Sequence, residues 1–494
     1  MKSRLMVTTA AMLLGAFLLS PFLGKANPAA ASSVAAAPAP SLYLPLINSS
    51  VAAAPGPFTI YLPLVMRNFS PLQTLFGAEM EQLTSGGGLD QMAVANISWT
   101  RRNAVLWSSV EPTEGARNWS TLAGLESELQ DASSKGVQVI LIVRSTPEWA
   151  RKIAGTGPYC GPIHPDKLAA FGSFMGELVA RYSVPPYNVK YWELWNEPDV
   201  PASPGDEVFG CWGDQSDAYY GGGYYAEMLK AAYPQIKAAD PQAQVLIGGL
   251  LLDCDPRPGA GCAVVGHDSK QSMFLEGILR HNGLNDGGNY FDGANFHAYD
   301  YYGELGKYGN ANWQSAWNTT GPVLVAKTQF IQSLLSQYGV SGKFLMNTES
   351  AVLCDSCSND SAFETTKANY VAQAYAAAIG EGLRANIWYS VMGWNNSGLL
   401  NADLSPRPAY TALQFSRSEL RNATWVRDVN EYTGVKGVEF QRGDRRIWVL
   451  WSLDGAEHGI SLDASPRAVF DVFGITFLAS NQLTITLEPI YIEW

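Results

Sequence analysis

Two glutamates close apolar segments of the sequence, and their side chains could do acid and base chemistry. Glu197 lies in residues 191–199 (YWELWNEPD), and Glu349 ends residues 343–349 (KFLMNTE). Either one could simply form a salt bridge or cap a helix. Two carboxyl groups at one site can also share a reaction, because one can be held protonated as an acid while the other stays ionised as a nucleophile.

The elements that carry these glutamates decide whether they meet. Apolar segments of strand type alternate with segments of helical period from about residue 74 onward. Such strands, joined by helices, indicate a parallel sheet, and eight of them predict an α/β fold, the (β/α)8 TIM barrel. A doubly wound open sheet is the alternative, and only the chemistry of the site favours closure. The predicted strands are 75–80, 97–104, 137–143, 189–195, 245–251, 291–296, 343–347 and 385–390.

Helices are predicted between these strands, and a second domain is predicted after them. Beyond about residue 417, strand-like segments are separated by turns with no helix among them, which is typical of a small all-β sandwich. We therefore predict a catalytic barrel at 71–416 and a C-terminal β-sandwich at 417–494. The predicted helices are 120–134, 165–182, 224–239, 273–281, 323–338 and 362–379, and the predicted sandwich strands are 435–441, 446–452, 468–472 and 483–488.

The barrel prediction brings the two glutamates together. The fourth and seventh strands face one another across an eight-stranded barrel, and catalytic groups belong at the carboxyl ends of its strands. Glu197 and Glu349 stand at those two ends. Carboxyl groups about 5 to 5.5 Å apart allow hydrolysis of a glycoside with retention of configuration, but a sequence does not give that distance.

Several motifs resemble those of a known group of enzymes. Residues 195–198 (WNEP) resemble the acid/base motif of the clan A glycoside hydrolases, and residues 347–349 (NTE) are similar to their nucleophile strand. Further segments at 98–119, 291–299 and 388–394 match other strands of the clan. With the trailing strands, the pattern over about residues 74–490 resembles glycoside hydrolase family 39 and related barrels.

This resemblance implies a retaining glycosidase. Glu197 would be the acid/base and Glu349 the nucleophile, cleaving O-glycosidic bonds of plant- or microbe-derived oligo- or polysaccharides through a covalent glycosyl-enzyme. Asn196 would hold the sugar 2-hydroxyl. No cofactor and no metal ion are expected. The remaining substrate-binding residues that the resemblance implies are His297, Tyr299 and Trp394, with Tyr299 near the nucleophile and Trp394 as a stacking platform.

The resemblance also implies an arginine beside the nucleophile, and two adjacent residues compete for that place. Consecutive residues of a strand point to opposite faces, so only one of Arg101 and Arg102 can face Glu349. We expect Arg102, because Trp99 and Asn103 then face the other way. Its guanidinium would keep the carboxylate ionised.

The first 70 residues are predicted to lie outside the barrel. Positive charge at residues 1–4 precedes an apolar stretch at 5–23, which predicts a signal peptide over 1–26 and a secreted or cell-surface protein. A membrane anchor is the alternative, and no stable membrane insertion is expected after cleavage. The Ala-, Pro- and Ser-rich residues 27–70 predict a linker, although the repeated YLPL at 43–46 and 61–64 would also suit docking strands.

Six cysteines form an even set, which suits disulfides in an oxidising compartment. Proximity in the sequence favours three pairs. Zinc binding at residues 354–357 (CDSC) is the alternative, but the sequence lacks a second ligand pair. The predicted pairs are Cys160 with Cys211, Cys254 with Cys262, and Cys354 with Cys357.

Charge and histidine content exclude some function classes. The formal net charge of -12 would repel a phosphate backbone, so nucleic acid is not an expected partner. Only five histidines occur, none in an HxH or HExxH arrangement, which disfavours a metal-dependent hydrolase. A carbohydrate-binding barrel without catalysis is the remaining alternative. Long insertions at 199–223 and 253–268 should overhang the cleft, and they leave the choice of sugar open.

Overall fold

The structure is a computed structural model. It describes residues 75–157, 159–202, 209–256, 269–303, 313–315, 317, 319 and 321–494. The predicted signal peptide at 1–26 and the linker at 27–70 lie outside the described residues, as does Cys262. No helix among the described residues has the length and apolar character that a bilayer crossing requires.

Eight parallel strands form a closed barrel, which confirms the predicted fold class. Each strand pairs with its neighbours in chain order, β1 pairs with both β2 and β8, and β5 pairs with β6, so the sheet has no open edge among these eight. This closure excludes the doubly wound alternative. The strands are β1 (Phe76–Ala78), β2 (Trp99–Leu106), β3 (Gln138–Arg144), β4 (Tyr191–Asn196), β5 (Gln244–Gly249), β6 (Gly293–Tyr302), β7 (Phe344–Leu353) and β8 (Ala385–Trp388).

Helices on the outside cover the barrel, and three of them, α1, α2 and α9, were not predicted. The helices α1 and α2 are short, and the buried positions of α9 include Ala, Ser and Glu as well as Leu and Tyr, so none of them shows a strong apolar stripe in the sequence. The predicted domain boundary at 416–417 falls within α9. The helices are α1 (Leu89–Val94), α2 (Trp107–Val110), α3 (Ala123–Ser134), α4 (Leu168–Tyr182), α5 (Gly222–Ala239), α6 (Met273–Arg280), α7 (Leu324–Gln337), α8 (Ser361–Gly380) and α9 (Pro408–Leu420).

The amino-terminal half of the barrel interior is an apolar layer, which we call the barrel floor. It consists of buried side chains from six strands that pack against one another. Further along the same strands the interior side chains become charged, with Arg101 on β2 and Glu193 on β4 both buried. The floor residues are Trp99, Ile140, Tyr191, Leu246, Met346, Ala385 and Ile387.

Two antiparallel sheets follow the barrel, as the predicted β-sandwich requires. The larger has the strand order β9-β10-β11-β16-β13-β14, and the smaller pairs β12 with β15. Four of these strands were missed from the sequence, because they are short or lie at a sheet edge or the chain end. The strands are β9 (Thr424–Val429), β10 (Val435–Arg442), β11 (Arg445–Ser452), β12 (His458–Ser461), β13 (Ala468–Phe470), β14 (Thr476–Phe477), β15 (Gln482–Ile485) and β16 (Ile490–Glu493).

The larger sheet is covered on both faces. Ile447 and Val449 of β11 belong to the apolar cluster that also contains the barrel helices. The residues between and after them, Trp448 and Leu450, pack instead with Ile460 and other side chains of the smaller sheet. Because side chains alternate along β11, one face of the larger sheet packs against the barrel helices and the other face packs against the smaller sheet.

Candidate active site

An irregularity in β4 turns Glu197 into the mouth of the barrel. Leu194 pairs with Ile247 and Asn196 pairs with Gly249, so the register with β5 is continuous and the irregularity lies in the backbone of Trp195. Its φ of 75° lies in the left-handed region, and its indole packs outward with the apolar core. After this backbone kink Asn196 faces inward, and the backbone of Glu197, with φ of 46°, brings the next side chain to the same site.

A similar irregularity in β7 serves Glu349. Phe296 of β6 pairs with Asn347, but His297 pairs with Glu349, so Thr348 is skipped in the register. The shift places Glu349 beside His297 rather than on the opposite face of the sheet. Both carboxyl groups therefore depend on local irregularities, a left-handed residue in β4 and a bulge in β7, that simple alternation along a strand does not reveal.

The two carboxyl groups lie close together. Ligand atoms of Glu197, His297 and Glu349 all lie within 4.8 Å of one another. His297 Nδ1 shares a hydrogen bond of 2.7 Å with Glu197 Oε1 and lies 3.4 Å from Glu349 Oε2. The Tyr299 hydroxyl donates to Glu349 Oε2. The structure thus brings four of the residues singled out in the sequence into one hydrogen-bonded group.

Burial separates the protonation states in this group. It raises the pKa of Glu197 to about 7, against the opposing effect of Arg101 and Arg144. It also lowers the pKa of His297 to about 4, so the imidazole is neutral near neutral pH. Burial, with the Glu349 charge beside it, raises the pKa of Tyr299, which remains a hydroxyl donor. Glu197 therefore holds a proton below a pH of about 7, as a general acid must.

Arg101, not Arg102, faces the nucleophile candidate, so the sequence-based choice between them is wrong. Arg102 Nε and Nη2 donate to Glu128 on α3 at 2.7 and 3.0 Å, on the outer side of the barrel. The choice assumed that Trp99 points outward. Trp99 instead lies in the barrel floor, and the residue two positions on, Arg101, shares its inward face.

The guanidinium of Arg101 is the centre of a buried polar layer above the barrel floor, which we call the charged layer. Its members are Arg101, Glu79, Glu193, Asn196 and Glu349. Arg101 Nη1 donates to Glu349 Oε1 and to Glu79 Oε2, the latter at 3.2 Å. Its Nε and Nη2 donate to the two oxygens of Glu193 at 3.2 and 2.6 Å, and Nη2 also donates to Asn196 Oδ1 at 2.6 Å. A guanidinium has five N–H donors, and all five meet an acceptor here. The arginine is held rigidly and cannot turn away from Glu349.

Asn196 connects this layer to the acid. While its Oδ1 accepts from Arg101, its Nδ2 donates to Glu197 Oε2 at 3.3 Å. The amide is only partly buried, so its donor group borders the open part of the site.

Trp394 lies at the rim of the site, with 53% of its surface exposed. Its ring centroid is 6.3 Å from that of Tyr299 and 6.4 Å from that of Tyr389, both in edge-to-face orientation. The three rings form an aromatic wall next to Glu349. An exposed indole at such a wall suits the apolar face of a sugar ring.

Two carboxylates of the charged layer, Glu193 and Glu79, were missed in the sequence. Glu193 accepts from Asn295 Nδ2 at 3.1 Å and from Gly249 N at 3.0 Å, in addition to Arg101. Glu79 follows β1. A carboxylate within or just after an otherwise apolar strand could have identified them as buried polar residues. Glu193 lies within residues 191–195 (YWELW), and Glu79 ends residues 75–79 (LFGAE).

Gly249 has a steric role beside His297. A Cβ at this position would overlap with His297 Nε2. The backbone oxygen of the same residue accepts from Glu197 N at 3.0 Å. The absence of a side chain therefore lets β5 approach both the imidazole and the acid.

Among the described residues, Glu197, His297 and Glu349 are also the set spaced as metal ligands. Their atoms are engaged in hydrogen bonds with one another, and Arg101 and Tyr299 both donate to Glu349. A positively charged guanidinium next to a ligand opposes a cation, so the donor set fits a hydrogen-bonded acid and base better than a metal centre.

The structure pairs Cys160 with Cys211 and Cys354 with Cys357, as the sequence spacing predicts. The first disulfide joins the loops after β3 and β4, next to the strand that carries Glu197. The second leaves that pair of cysteines no thiolate for zinc. The third predicted pair includes Cys262, which lies outside the described residues.

The chain matches no family model, and no curated protein matches it in sequence. Solved structures do match its fold. A family 39 glycoside hydrolase from the gut symbiont Bacteroides cellulosilyticus WH2 has a TM-score of 0.62 at 18% identity, covering 85% of this chain and 81% of that one. A GH30 endoxylanase from Clostridium papyrosolvens C71 has a TM-score of 0.55 at 13% identity, covering 85% and 96%.

A third solved structure, a GH39 β-xylosidase from Caulobacter crescentus, has a TM-score of 0.52 at 16% identity and covers 86% of this chain and 96% of that one. These matches confirm the resemblance in fold to glycoside hydrolase families of clan A that the motifs indicated. At such low identity, the likeness shows the fold alone.

Proposed function

We propose that this protein is a retaining glycoside hydrolase in which Glu197 is the acid/base and Glu349 the nucleophile. The observation that carries the proposal is the proximity of Glu197, directly after β4, and Glu349, in the carboxyl-terminal half of β7, with oxygens within 4.8 Å of each other. Retaining enzymes keep their carboxyl groups about 5 to 5.5 Å apart, whereas inverting enzymes need about 6.5 to 9.5 Å to admit a water molecule.

In the first step, Glu349 attacks the anomeric carbon and forms an ester bond to the sugar, while the proton of Glu197 moves to the departing glycosidic oxygen. In the second step, the ionised Glu197 takes a proton from water, whose oxygen attacks the anomeric carbon and releases Glu349. The pKa of about 7 for Glu197 suits a group that must give a proton and then take one.

The different surroundings of the two carboxyl groups support these roles. Glu349 accepts from Arg101 and from Tyr299, two donors that hold and direct its carboxyl group. Glu197 is buried beside a neutral imidazole, which favours the protonated form. Paired carboxyl groups in contrasting environments are the usual basis for dividing acid and nucleophile roles.

We propose a carbohydrate substrate bound against the aromatic wall, with Trp394 beneath a sugar ring and Asn196 on its 2-hydroxyl. Plant- or microbe-derived oligo- or polysaccharides fit this arrangement. Because two of the solved structures above are named as an endoxylanase and a β-xylosidase, xylosides and xylan are the first substrates to test. The chemistry requires no cofactor.

We also propose that the protein is exported, with residues 1–26 removed as a signal peptide. The two disulfides of the described residues support an oxidising compartment, since such bonds persist mainly outside the cytosol. An extracellular location would suit an enzyme that acts on polysaccharides.

The test begins with a panel of nitrophenyl glycosides and polysaccharides, which identifies a sugar that the wild type hydrolyses. Glu349→Ala and Glu197→Ala should each lose hydrolysis of that substrate. Added azide should rescue the Glu349 variant with a glycosyl azide of inverted configuration, and the Glu197 variant with one of retained configuration. Product configuration is read by proton nuclear magnetic resonance.

Glu128→Ala is the control, because Glu128 pairs with Arg102 on the outer side of the barrel. It should keep hydrolysis. Normal turnover by the Glu349 variant would contradict the assignment, and so would an inverted sugar as the first product of the wild type. A wild type that binds polysaccharide without hydrolysing any substrate would favour the non-catalytic alternative.

A further inference from the structure

We propose that Glu79 is a positioning residue that shares one nitrogen of Arg101 with the nucleophile, and that ionisation of Glu79 sets an alkaline limit to glycoside cleavage. The inference rests on the proposed function. It concerns a residue that the acid and nucleophile roles do not use, at the carboxyl end of a strand that supplies neither of them.

The backbone fixes Glu79 at the junction of β1 with β8. Its N–H donates to Trp388 O at 2.8 Å, and its carbonyl oxygen accepts from Val391 N at 2.9 Å. The side chain is 12% exposed and reaches Arg101 Nη1 with Oε2 at 3.2 Å. Glu79 is therefore a third carboxyl group at the reaction centre, held on the strand that neighbours the aromatic wall.

The bonding of Arg101 links Glu79 directly to the nucleophile. Glu193 and Asn196 take the N–H groups of Nε and Nη2, which leaves Nη1 for Glu349 and Glu79. Each of these two carboxyl groups accepts from its own N–H of Nη1, so a full charge on Glu79 draws the guanidinium toward itself and lengthens the bond to Glu349. The two carboxyl groups are coupled through one nitrogen.

One guanidinium cannot balance three carboxylates, and Glu79 is the least compensated of the three. Glu193 accepts from Arg101, Gly249 and Asn295, and Glu349 accepts from Arg101 and Tyr299. Among the described residues, Glu79 accepts a side-chain hydrogen bond from Arg101 alone. The proton that relieves the excess negative charge therefore belongs on Glu79.

The charged groups around Glu79 agree with this assignment. Burial raises the pKa of Glu79 to about 8, with Arg101 on β2 acting against it and with Glu349 on β7 and Glu193 on β4 adding to it. Tyr389, just after β8, also faces this group. Glu79 is consequently neutral below a pH of about 8, where Nη1 favours the ionised Glu349.

Deprotonation reverses that preference. Above a pH of about 8, Glu79 becomes a second full charge beside the same nitrogen. It then competes for Arg101 and repels the Glu349 carboxylate, which disturbs the attack geometry. Because the protonated form is the active one, the rate constant should fall as the pH rises through this pKa.

The experiment separates Glu79 from Glu197 by the choice of substrate. A dinitrophenyl glycoside of the preferred sugar has a leaving group that needs no proton, so its kcat/KM does not depend on protonated Glu197. The kcat/KM of the wild type is measured with this substrate from about pH 6 to about pH 10. Above about pH 8 it should fall about tenfold for each pH unit.

Glu79→Gln mimics the neutral acid and should abolish this alkaline decline, with a severalfold lower kcat/KM at low pH because the amide hydrogen bonds differently. Glu79→Asp keeps a titrating carboxyl and should keep a decline. Glu128→Gln, the control on the neighbouring Arg102, should match the wild type. An unchanged decline in Glu79→Gln would overturn the inference while leaving the proposed function intact.

An infrared measurement tests the protonation state without any substrate. Near pH 7, the absorption band of neutral carboxylic acids should be weaker in Glu79→Gln than in the wild type, and unchanged in Glu128→Gln. Equal bands in all three proteins would overturn the inference. Failure of the proposed function is recognised separately, because the wild type would then hydrolyse no glycoside in the panel.

Discussion

The two halves of the barrel interior use the same strands for opposite purposes. The barrel floor is apolar, whereas the layer above it contains one arginine and several carboxyl groups. On β2 the change occurs between Trp99 and Arg101, and on β4 between Tyr191 and Glu193. Two residues along a strand therefore separate a layer that closes the barrel from a layer that can do chemistry.

The two halves tolerate the burial of their side chains for different physical reasons. The floor is stabilised by removing apolar surface from water. The fit of its side chains to one another therefore matters more than which apolar residue types supply them. The charged layer has a desolvation cost, which is offset only when every donor meets an acceptor. Floor substitutions should lower stability alone, and charged-layer substitutions should lower both stability and activity.

Arg101→Met should have the largest effect. It leaves Glu193, Glu349 and Glu79 without their shared cation, so the free energy of unfolding should drop by about 3 to 5 kcal/mol. The kcat/KM should fall roughly a hundredfold to a thousandfold, because the nucleophile loses a directing donor. Urea unfolding and steady-state kinetics measure the two effects.

Arg102→Met is the matched control for that prediction. Its partner Glu128 lies on the outer side of the barrel, so the loss of stability should be about 1 kcal/mol or less, with kcat/KM maintained. If the Arg102 variant lost as much activity as the Arg101 variant, the division of the interior into floor and charged layer would fail.

Met346→Ala tests the floor. Removing a fully buried side chain from a close-packed layer should lower the free energy of unfolding by about 2 to 5 kcal/mol. None of the described hydrogen bonds joins the Met346 side chain to the charged layer. The kcat/KM of the folded variant should therefore stay within about threefold of the wild-type value. A hundredfold loss of activity at unchanged stability would show that the two halves are not separable.

Gly249→Ala tests the packing between β5 and His297. The added methyl group would overlap with the imidazole and displace it from Glu197, so we expect about 1 to 3 kcal/mol of lost stability and roughly tenfold lower kcat/KM. Gly124→Ala in α3 is the control, because a Cβ there meets nothing within 4 Å. Equal effects of both variants would rule out a specific contact with His297.

Trp394→Ala should have the smallest effect on stability, within about 0.5 kcal/mol, since more than half of the side chain is exposed. If the ring is a platform for sugar, KM should rise severalfold while kcat changes little. Trp425→Ala, at an exposed tryptophan of β9, should leave KM unaltered. A rise in kcat/KM for Trp394→Ala would exclude a stacking role.

Much of the fold could be predicted from the sequence because its signals are local. Eight apolar segments separated by helical ones define the barrel, and they place Glu197 directly after β4, whereas β7 continues beyond Glu349 to Leu353. The helix α9 was not predicted, since its buried positions include Ala409, Ala412 and Ser416, which give little apolar contrast.

The details of the site depended on long-range packing that the sequence does not display. Whether Arg101 or Arg102 faces inward depends on whether Trp99 belongs to the barrel floor, and an indole suits either side of a strand. The left-handed backbone of Trp195 and the extra residue Thr348 shift the alternation in β4 and β7 without any local signal. Glu79 acquires its importance only through Arg101, a partner on another strand.

Trapping the covalent intermediate tests the central claim most directly. A 2-deoxy-2-fluoro glycoside of the preferred sugar, with a good leaving group, should accumulate as an ester that can be located by mass spectrometry of protease fragments. We predict a single modified residue, Glu349, and no labelling in Glu349→Ala. Labelling of Glu79 or Glu193 would contradict the account, and so would unlabelled protein that hydrolyses its substrate with inversion.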